Sequence, residues 1–378
     1  MKTLTTAELQ EILPWLKSQF PRSLPVYHMA QNNLRNHYPY HFFWPGMEFL
    51  VDRFPQPTVC ICRPHSSTIK QSYVSMLNGQ HIFLYAANPT AFQCIWLKNY
   101  SDLVHLEESV TFTDIDADLA NVLLDTSERF THVPGTEGFP NGERCFHFDL
   151  TTWNTELARI QLPSHVRLGE LHTGYVDQIV ANCANAYGQP QNRRAFIEYL
   201  LTHHFPSAAI FDAKRSTPNT PIAYCMYWPQ GVVGHVYINH DYRQQGLFKV
   251  LLAHLLGRLW CTRVVSVWME TMNLDIPNQI EDLRNLGGRE FKHHNKCWVA
   301  YSPNTPANPK LQEKGRSDFK TDAGHEKSRK AGGSSEGRRG RNSVSVDAKR
   351  EKPVPRGSGR RESLQREYER EGDPSVDC

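Results

Sequence analysis

Apolar positions change their period repeatedly along the chain, and each change marks a new element. Leu9, Ile12, Leu13, Leu16 and Phe20 recur at helical spacing behind Thr5-Thr6-Ala7-Glu8, a capping-box phrase, so the pattern predicts a first helix with a kink at Pro14. Pro25–Tyr27 reads as a short strand, 31–47 as a structured loop and Met47–Phe54 as a helix. Strands at 58–63 and 81–86 follow, then a helix from Pro89 to Asn99, a strand at 103–106, a helix Asp114–Phe130 and a strand at 143–149. Residues 151–163 read as a linker. Beyond it the pattern predicts a strand at 165–171 and helices Thr173–Ala186 and Pro190–His204. Strands at 207–212, 222–228 and 232–239 precede a helix opening at Leu247, whose Leu247, Leu251, Leu255 and Leu259 repeat every fourth residue. A strand at 263–270, a helix from Asn278 to a Gly287-Gly288 stop and a strand from Asn295 to Tyr301 complete the order. Strands alternating with helices define an α/β (α+β) protein of mixed sheets flanked by helices.

Composition narrows the classes. The 378 residues suffice for two domains with cores of their own. Residues 304–378 carry 18 Lys/Arg and 13 Asp/Glu, almost no aromatic side chains and the runs Gly332-Gly333-Ser334-Ser335 and Arg338-Arg339-Gly340-Arg341, the composition of a disordered basic tail. The remainder has 24 basic and 26 acidic residues, so no nucleic-acid binding is expected of the folded part. Nine cysteines, Cys60-Ile61-Cys62 among them, lack a paired framework or a zinc spacing, and read as reduced thiols of an intracellular protein. No apolar run reaches a membrane span, and a mitochondrial presequence is not evident, with Glu8 and Glu11 inside the only candidate helix.

The chemistry concentrates at Gly231-Val232-Val233-Gly234-His235-Val236-Tyr237-Ile238, which runs into Asn239-His240-Asp241-Tyr242-Arg243-Gln244-Gln245-Gly246 and then Leu247-Phe248. A strand, a polar turn ending in glycine and a helix together make an anion cradle. The first-turn amides of the helix have no partner within it, and its dipole favours negative charge there. Gly246 lets backbone approach a diphosphate, and Arg243 adds a positive charge.

The spacing Arg243-x-x-Gly246-x-Phe248 after a strand resembles the acyl-CoA pyrophosphate loop of the GNAT acyltransferases, with Phe248 where a small residue is usual. Asp241-Tyr242-Arg243-Gln244-Gln245-Gly246-Leu247 resembles more narrowly the glycine N-acyltransferase family, with His240-Asp241 in place of Pro-Glu. Leu50-Val51-Asp52-Arg53-Phe54, Thr58 to Pro64, Gln93-Cys94 and Asn192 to Ile197 extend the resemblance over about 300 residues.

The resemblance implies two tandem GNAT-like domains, a degenerate one at 1–160 and a catalytic one at 161–303, followed by the tail 304–378. It implies acyl-CoA as co-substrate with no resident cofactor, glycine or a similar small amine as acceptor, and a monomer in the mitochondrion or cytoplasm. Tyr237, Ile238, Asn239, Arg243, Gln244, Gln245, Gly246, Leu247, Phe248 and Asn278 become the coenzyme-binding set.

The position of the family's glutamate base holds Val232, which leaves His235 and Glu270 as candidate proton acceptors. In a regular strand His235 faces away from the side of Val232, so its use requires a bulge between Gly231 and His235. Arg193 or Arg194 would supply a cation for an acceptor carboxylate. Two other readings stand beside this one: an acyl-CoA binder that has lost its base, and an N-acetyltransferase of protein or polyamine amines.

Overall fold

The computed structural model describes residues 1–35, 46–65, 80–104, 107–133, 144–153, 162, 164–182, 190–215, 217–270, 278–291 and 296–303. The expected tail and most of the expected linker lie outside the described residues. Between residues 1 and 313 the chain forms one compact unit.

Its elements come in two runs of one order. The first run is β1 (Lys2–Thr3), α1 (Thr6–Ser18), α2 (Leu24–Leu34), β2 (Met47–Val51), β3 (Val59–Pro64), β4 (Gln80–Ala86), α3 (Pro89–Leu103), β5 (Val110–Asp116), α4 (Ala117–Thr126), β6 (Phe130–His132) and β7 (Cys145–Asp149). The second is β8 (Val166–Gly169), α5 (Val176–Asn182), α6 (Pro190–Thr202), β9 (Ser207–Asp212), β10 (Pro221–Tyr227), β11 (Val233–Ile238), α7 (Leu247–Cys261), β12 (Ser266–Glu270), α8 (Gln279–Asn285), β13 (Arg289–Phe291) and β14 (Lys296–Tyr301). The mixed α/β class read from the sequence is the class observed.

The last strand of each run belongs to the other run's sheet. The first sheet is ordered β1-β2-β3-β4-β5-β14-β6, and the strands β12-β7-β13 form a three-stranded ladder beside the sheet β11-β10-β9-β8. Thus β14 lies antiparallel between β5 and β6, with Cys297 opposite Ile115 and Val299 opposite His132. In turn β7 lies antiparallel between β12 and β13, with His147 opposite both Trp268 and Arg289. Paired strands therefore cross residue 160 in both directions.

Local chemistry explains most elements. Thr5 and Glu8 form the capping box at the start of α1, and Pro14 lies within that helix. Four expectations are corrected. Met47–Val51 is a strand, because four of its five side chains are buried and the apolar run loses any helical period. Pro25–Tyr27 begins α2, where every residue from Leu24 to Ala30 is buried and no polar face marks the helix. The strand expected at 103–106 lies at Val110–Asp116, and the helix expected from Asp114 begins only at Ala117.

Apolar packing covers both faces of the first sheet. Ile61, Ile82, Leu84 and Phe112 meet Trp96 and Leu119, while Phe49, Cys60, Phe83 and Tyr85 meet Ile12, Leu16, Val26 and Met29. A larger core beneath α7 joins Leu251, Leu255 and Leu259 to Phe146 and Phe148 of the exchanged strand β7. The described cysteines are free thiols.

Candidate active site: the turn after β11 and the gap beside it

Strand β11 follows a tight hairpin. Gly231 has φ +78°, and a Cβ there would lie 2.3 Å from the His28 ring, so only glycine fits. Val232 forms a parallel bridge with Trp268, and among the described residues β11 and β12 share no further ladder pair. Their carboxyl ends, at Ile238 and Glu270, are therefore not stitched to each other. A gap of this kind at the carboxyl ends of parallel strands is where α/β sheets bind ligands.

No bulge interrupts the ladder at Val233 or Gly234, where the use of His235 as a base required one; the bulge falls at His235 itself. Gly234 pairs with Met226 and Tyr237 with Tyr224, so His235 and Val236 together oppose Cys225. His235 takes a left-handed backbone, φ +49°, and is buried. Its Nδ1 accepts the indole N–H of Trp228 at 3.0 Å. Trp228 reaches it by lying across Gly234, where a Cβ would come within 2.4 Å of the indole. Tyr237 stacks on Tyr224, centroids 5.1 Å apart.

The turn then folds on itself. Asn239 accepts the Asp241 N–H at 3.0 Å, and the Tyr242 hydroxyl donates to Asp212 at 2.6 Å, which ties the turn to the end of β9. The same bond holds the Asp212 carboxyl below its usual range and raises the Tyr242 phenol. Arg243 Nε lies 3.4 Å from the Ile238 carbonyl. Gln244 and Gly246 both have positive φ, and a Cβ on Gly246 would meet nothing within 4 Å. Helix α7 begins there without a side-chain cap.

Ile238, Tyr242, Arg243, Gln244, Gly246, Leu247, Phe248 and Asp282 line a small open cleft. It holds six of the ten residues expected to bind coenzyme, all but Tyr237, Asn239, Gln245 and Asn278. Asp282, on α8, was not anticipated; burial raises its carboxyl pKa and Lys249 opposes that shift. Asn278 stands at the start of α8 in a left-handed conformation with no side-chain cap bond. Glu270 ends β12 opposite Cys145. Arg194 pairs with Asp177 on the surface. Val232 places an apolar, nearly buried side chain at the position where the resemblance has a glutamate. The parts played by Trp228 and Asp282 carry no motif, since Trp228 meets His235 across a hairpin and Asp282 comes from a later helix.

No family model matches the chain, and no curated protein does. Solved structures do match. A Drosophila protein solved by structural genomics superposes with a TM-score of 0.54 at 13% identity, over 80% of this chain and 99% of that one. A tandem GNAT protein from the clavulanic acid biosynthesis pathway matches at 0.41 and 11% identity, over 80% and 98%. A GCN5-related N-acetyltransferase from Kribbella flavida matches at 0.38 and 13%, over 70% and 90%. Structural neighbours of this chain thus include GNAT-fold proteins. Among the described residues no helix is long and apolar enough to cross a membrane.

Proposed function

We propose that the protein is an acyl-CoA-dependent N-acyltransferase whose acceptor is a small amine, glycine being the first to test. The observation that carries this reading is the uncapped start of α7 behind Gly246, opening on a cleft beside an unstitched pair of parallel strands. The coenzyme diphosphate would lie over the amides of Leu247 and Phe248, with Arg243 at its edge. The pantetheine arm would enter between β11 and β12 and bring the thioester carbonyl towards backbone N–H groups around Tyr237 to Asn239. The neutral amine attacks that carbonyl, the C–S bond breaks, and CoA leaves as the thiol once the amine's proton has been passed on. His235 on β11 and Glu270 at the end of β12 are the two titratable candidates to receive that proton. Tandem organisation around residue 160, a monomeric state and an intracellular site of action belong to the same reading.

Val232 favours a second reading, a binder of acyl-CoA without turnover, since no acid stands at the place where the resemblance has its base. One experiment separates the two. The full chain is titrated with CoA by calorimetry, then incubated with a panel of acyl-CoAs and glycine, glutamine, polyamines or peptides while thiol release is followed. Binding with acceptor-dependent release supports the enzyme, and the preferred amine identifies its class. Binding without release supports the silent binder, and absence of binding removes the site.

A further inference from the structure

The Trp228–His235 contact decides which way a proton can move at β11. An indole N–H donates and cannot accept, so the nitrogen it reaches must offer a lone pair. That nitrogen is Nδ1, 3.0 Å away and buried. A neutral imidazole that accepts at Nδ1 carries its hydrogen at Nε2. Three features hold the arrangement. Gly234 admits the indole plane where any Cβ would clash, the left-handed backbone of His235 in the bulge aims the ring back at Trp228, and Phe196 packs against both rings, 5.2 Å from Trp228 and 6.2 Å from His235. Protonating Nδ1 would set two N–H groups against each other in a buried site and break the indole's bond to it.

We infer that Trp228 fixes His235 as the Nε2–H tautomer, with its one lone pair taken up by the indole and its N–H buried away from the cleft, so that His235 does not serve as the base. Trp228 is then a positioning residue. The catalytic part of this inference rests on the acyltransferase reading, and the tautomer does not. The amine's proton goes to Glu270 or to water, and no covalent step involves the imidazole.

The tautomer is read on the full chain labelled with 15N-histidine, by long-range proton–nitrogen correlation at pH 7, with the His235 signals assigned by their loss in His235→Gln. The expected pattern is a protonated Nε2 and an unprotonated Nδ1 that persist as pH is lowered towards 5. In Trp228→Phe, which keeps the ring bulk, His235 should populate the other tautomer and titrate. A protonated Nδ1 in the wild type, or an unchanged spectrum in Trp228→Phe, overturns the inference. Turnover supplies the second readout, because glutamine cannot serve as a base. His235→Gln should keep turnover within about tenfold of wild type, where loss of a general base would cost about 10²–10⁴-fold. A loss in that range, in a variant that still melts cooperatively, overturns the exclusion of His235 as the base. A wild type without turnover on any acceptor removes the acyltransferase reading, and the spectrum still decides the tautomer.

Discussion

Where β4 ends, the chain crosses Ala87 and Asn88 and enters α3; where β11 ends, it spends eight residues, Asn239 to Gly246, before α7. The short crossing satisfies its own helix, for Asn88 Oδ1 accepts the Ala91 N–H at 2.8 Å. The long crossing leaves the α7 amides uncapped behind a left-handed glycine. The strands beside each crossing differ as well. In the first half β4 and β5 pair over Gln80–Ile82 and then part, and Arg22 closes the space, bonding to the Ala87 carbonyl at 3.0 Å, to Asp116 at 2.6 Å and to Asp118 at 2.5 Å. In the second half a single bridge joins β11 to β12 and a cleft stands at the turn. One element order thus yields a helix end and strand gap filled by the chain itself, and another pair left open.

Four perturbations test how far that division goes. The largest effect is expected from removing β14. Residues 296–301 complete the first sheet with the buried Cys297, Val299 and Tyr301 and a Lys296–Asp116 ion pair. At roughly 1.5–3 kcal/mol for each buried apolar side chain, the loss approaches the about 5–15 kcal/mol that holds a domain together. A chain stopped at residue 295 should show no cooperative thermal transition by circular dichroism. A normal transition would mean that the first half completes its sheet alone.

The other exchanged strand gives a pH dependence. Burial lowers the His147 pKa from 6.5 to about 4, against the opposing pull of Asp149 and with help from Lys17 and Arg289. The unfolded chain binds this proton more tightly, so stability is complete above pH 6.5 and is lost as pH falls from 6.5 towards 4. His28, whose ring lies 6.1 Å from His147 and which is likewise pushed down by burial, acts in the same direction. Denaturant unfolding should show about 3 kcal/mol more loss between pH 7 and pH 4 in wild type than in His147→Gln. Equal slopes would remove His147 from the acid sensitivity.

The cradle comes next. Gly246→Val places branched bulk where a diphosphate would approach, while the left-handed backbone costs about 1–2 kcal/mol of stability. CoA binding by calorimetry should disappear from a variant that still melts cooperatively. Arg243→Ala should weaken CoA by about 1–3 kcal/mol, the value of a charge-assisted hydrogen bond. The smallest effect belongs to the first half's counterpart: Asn88→Ala should lower stability by about 1 kcal/mol and leave CoA affinity unchanged. An affinity change there would show that the first crossing also serves the ligand.

The cradle was legible because its signals are local. β-branched residues end at a polar turn, glycine takes one of the turn's two left-handed positions, and leucines repeat at helical spacing. Three kinds of feature were not. Segments buried on every side, such as Leu24–Ala30, lose the periodicity that distinguishes helix from strand. A bulge centred on His235 requires positive φ at a residue that rarely adopts it, and nothing in the neighbouring letters announces that. The partner of a strand is a non-local property, so the exchange of β7 and β14 left no mark in either segment.

That exchange sets a timetable for a chain made from its N-terminus. Until Tyr301 has left the ribosome, β5 and β6 have no strand between them, and the ladder groups they turn towards β14 stay unpaired through the synthesis of some 170 further residues. The first half therefore cannot mature as an independent unit ahead of the second, as leading domains usually do. Its nascent form presents an open edge to any extended segment nearby, and a premature stop in the last strand harms the part of the protein that was translated first.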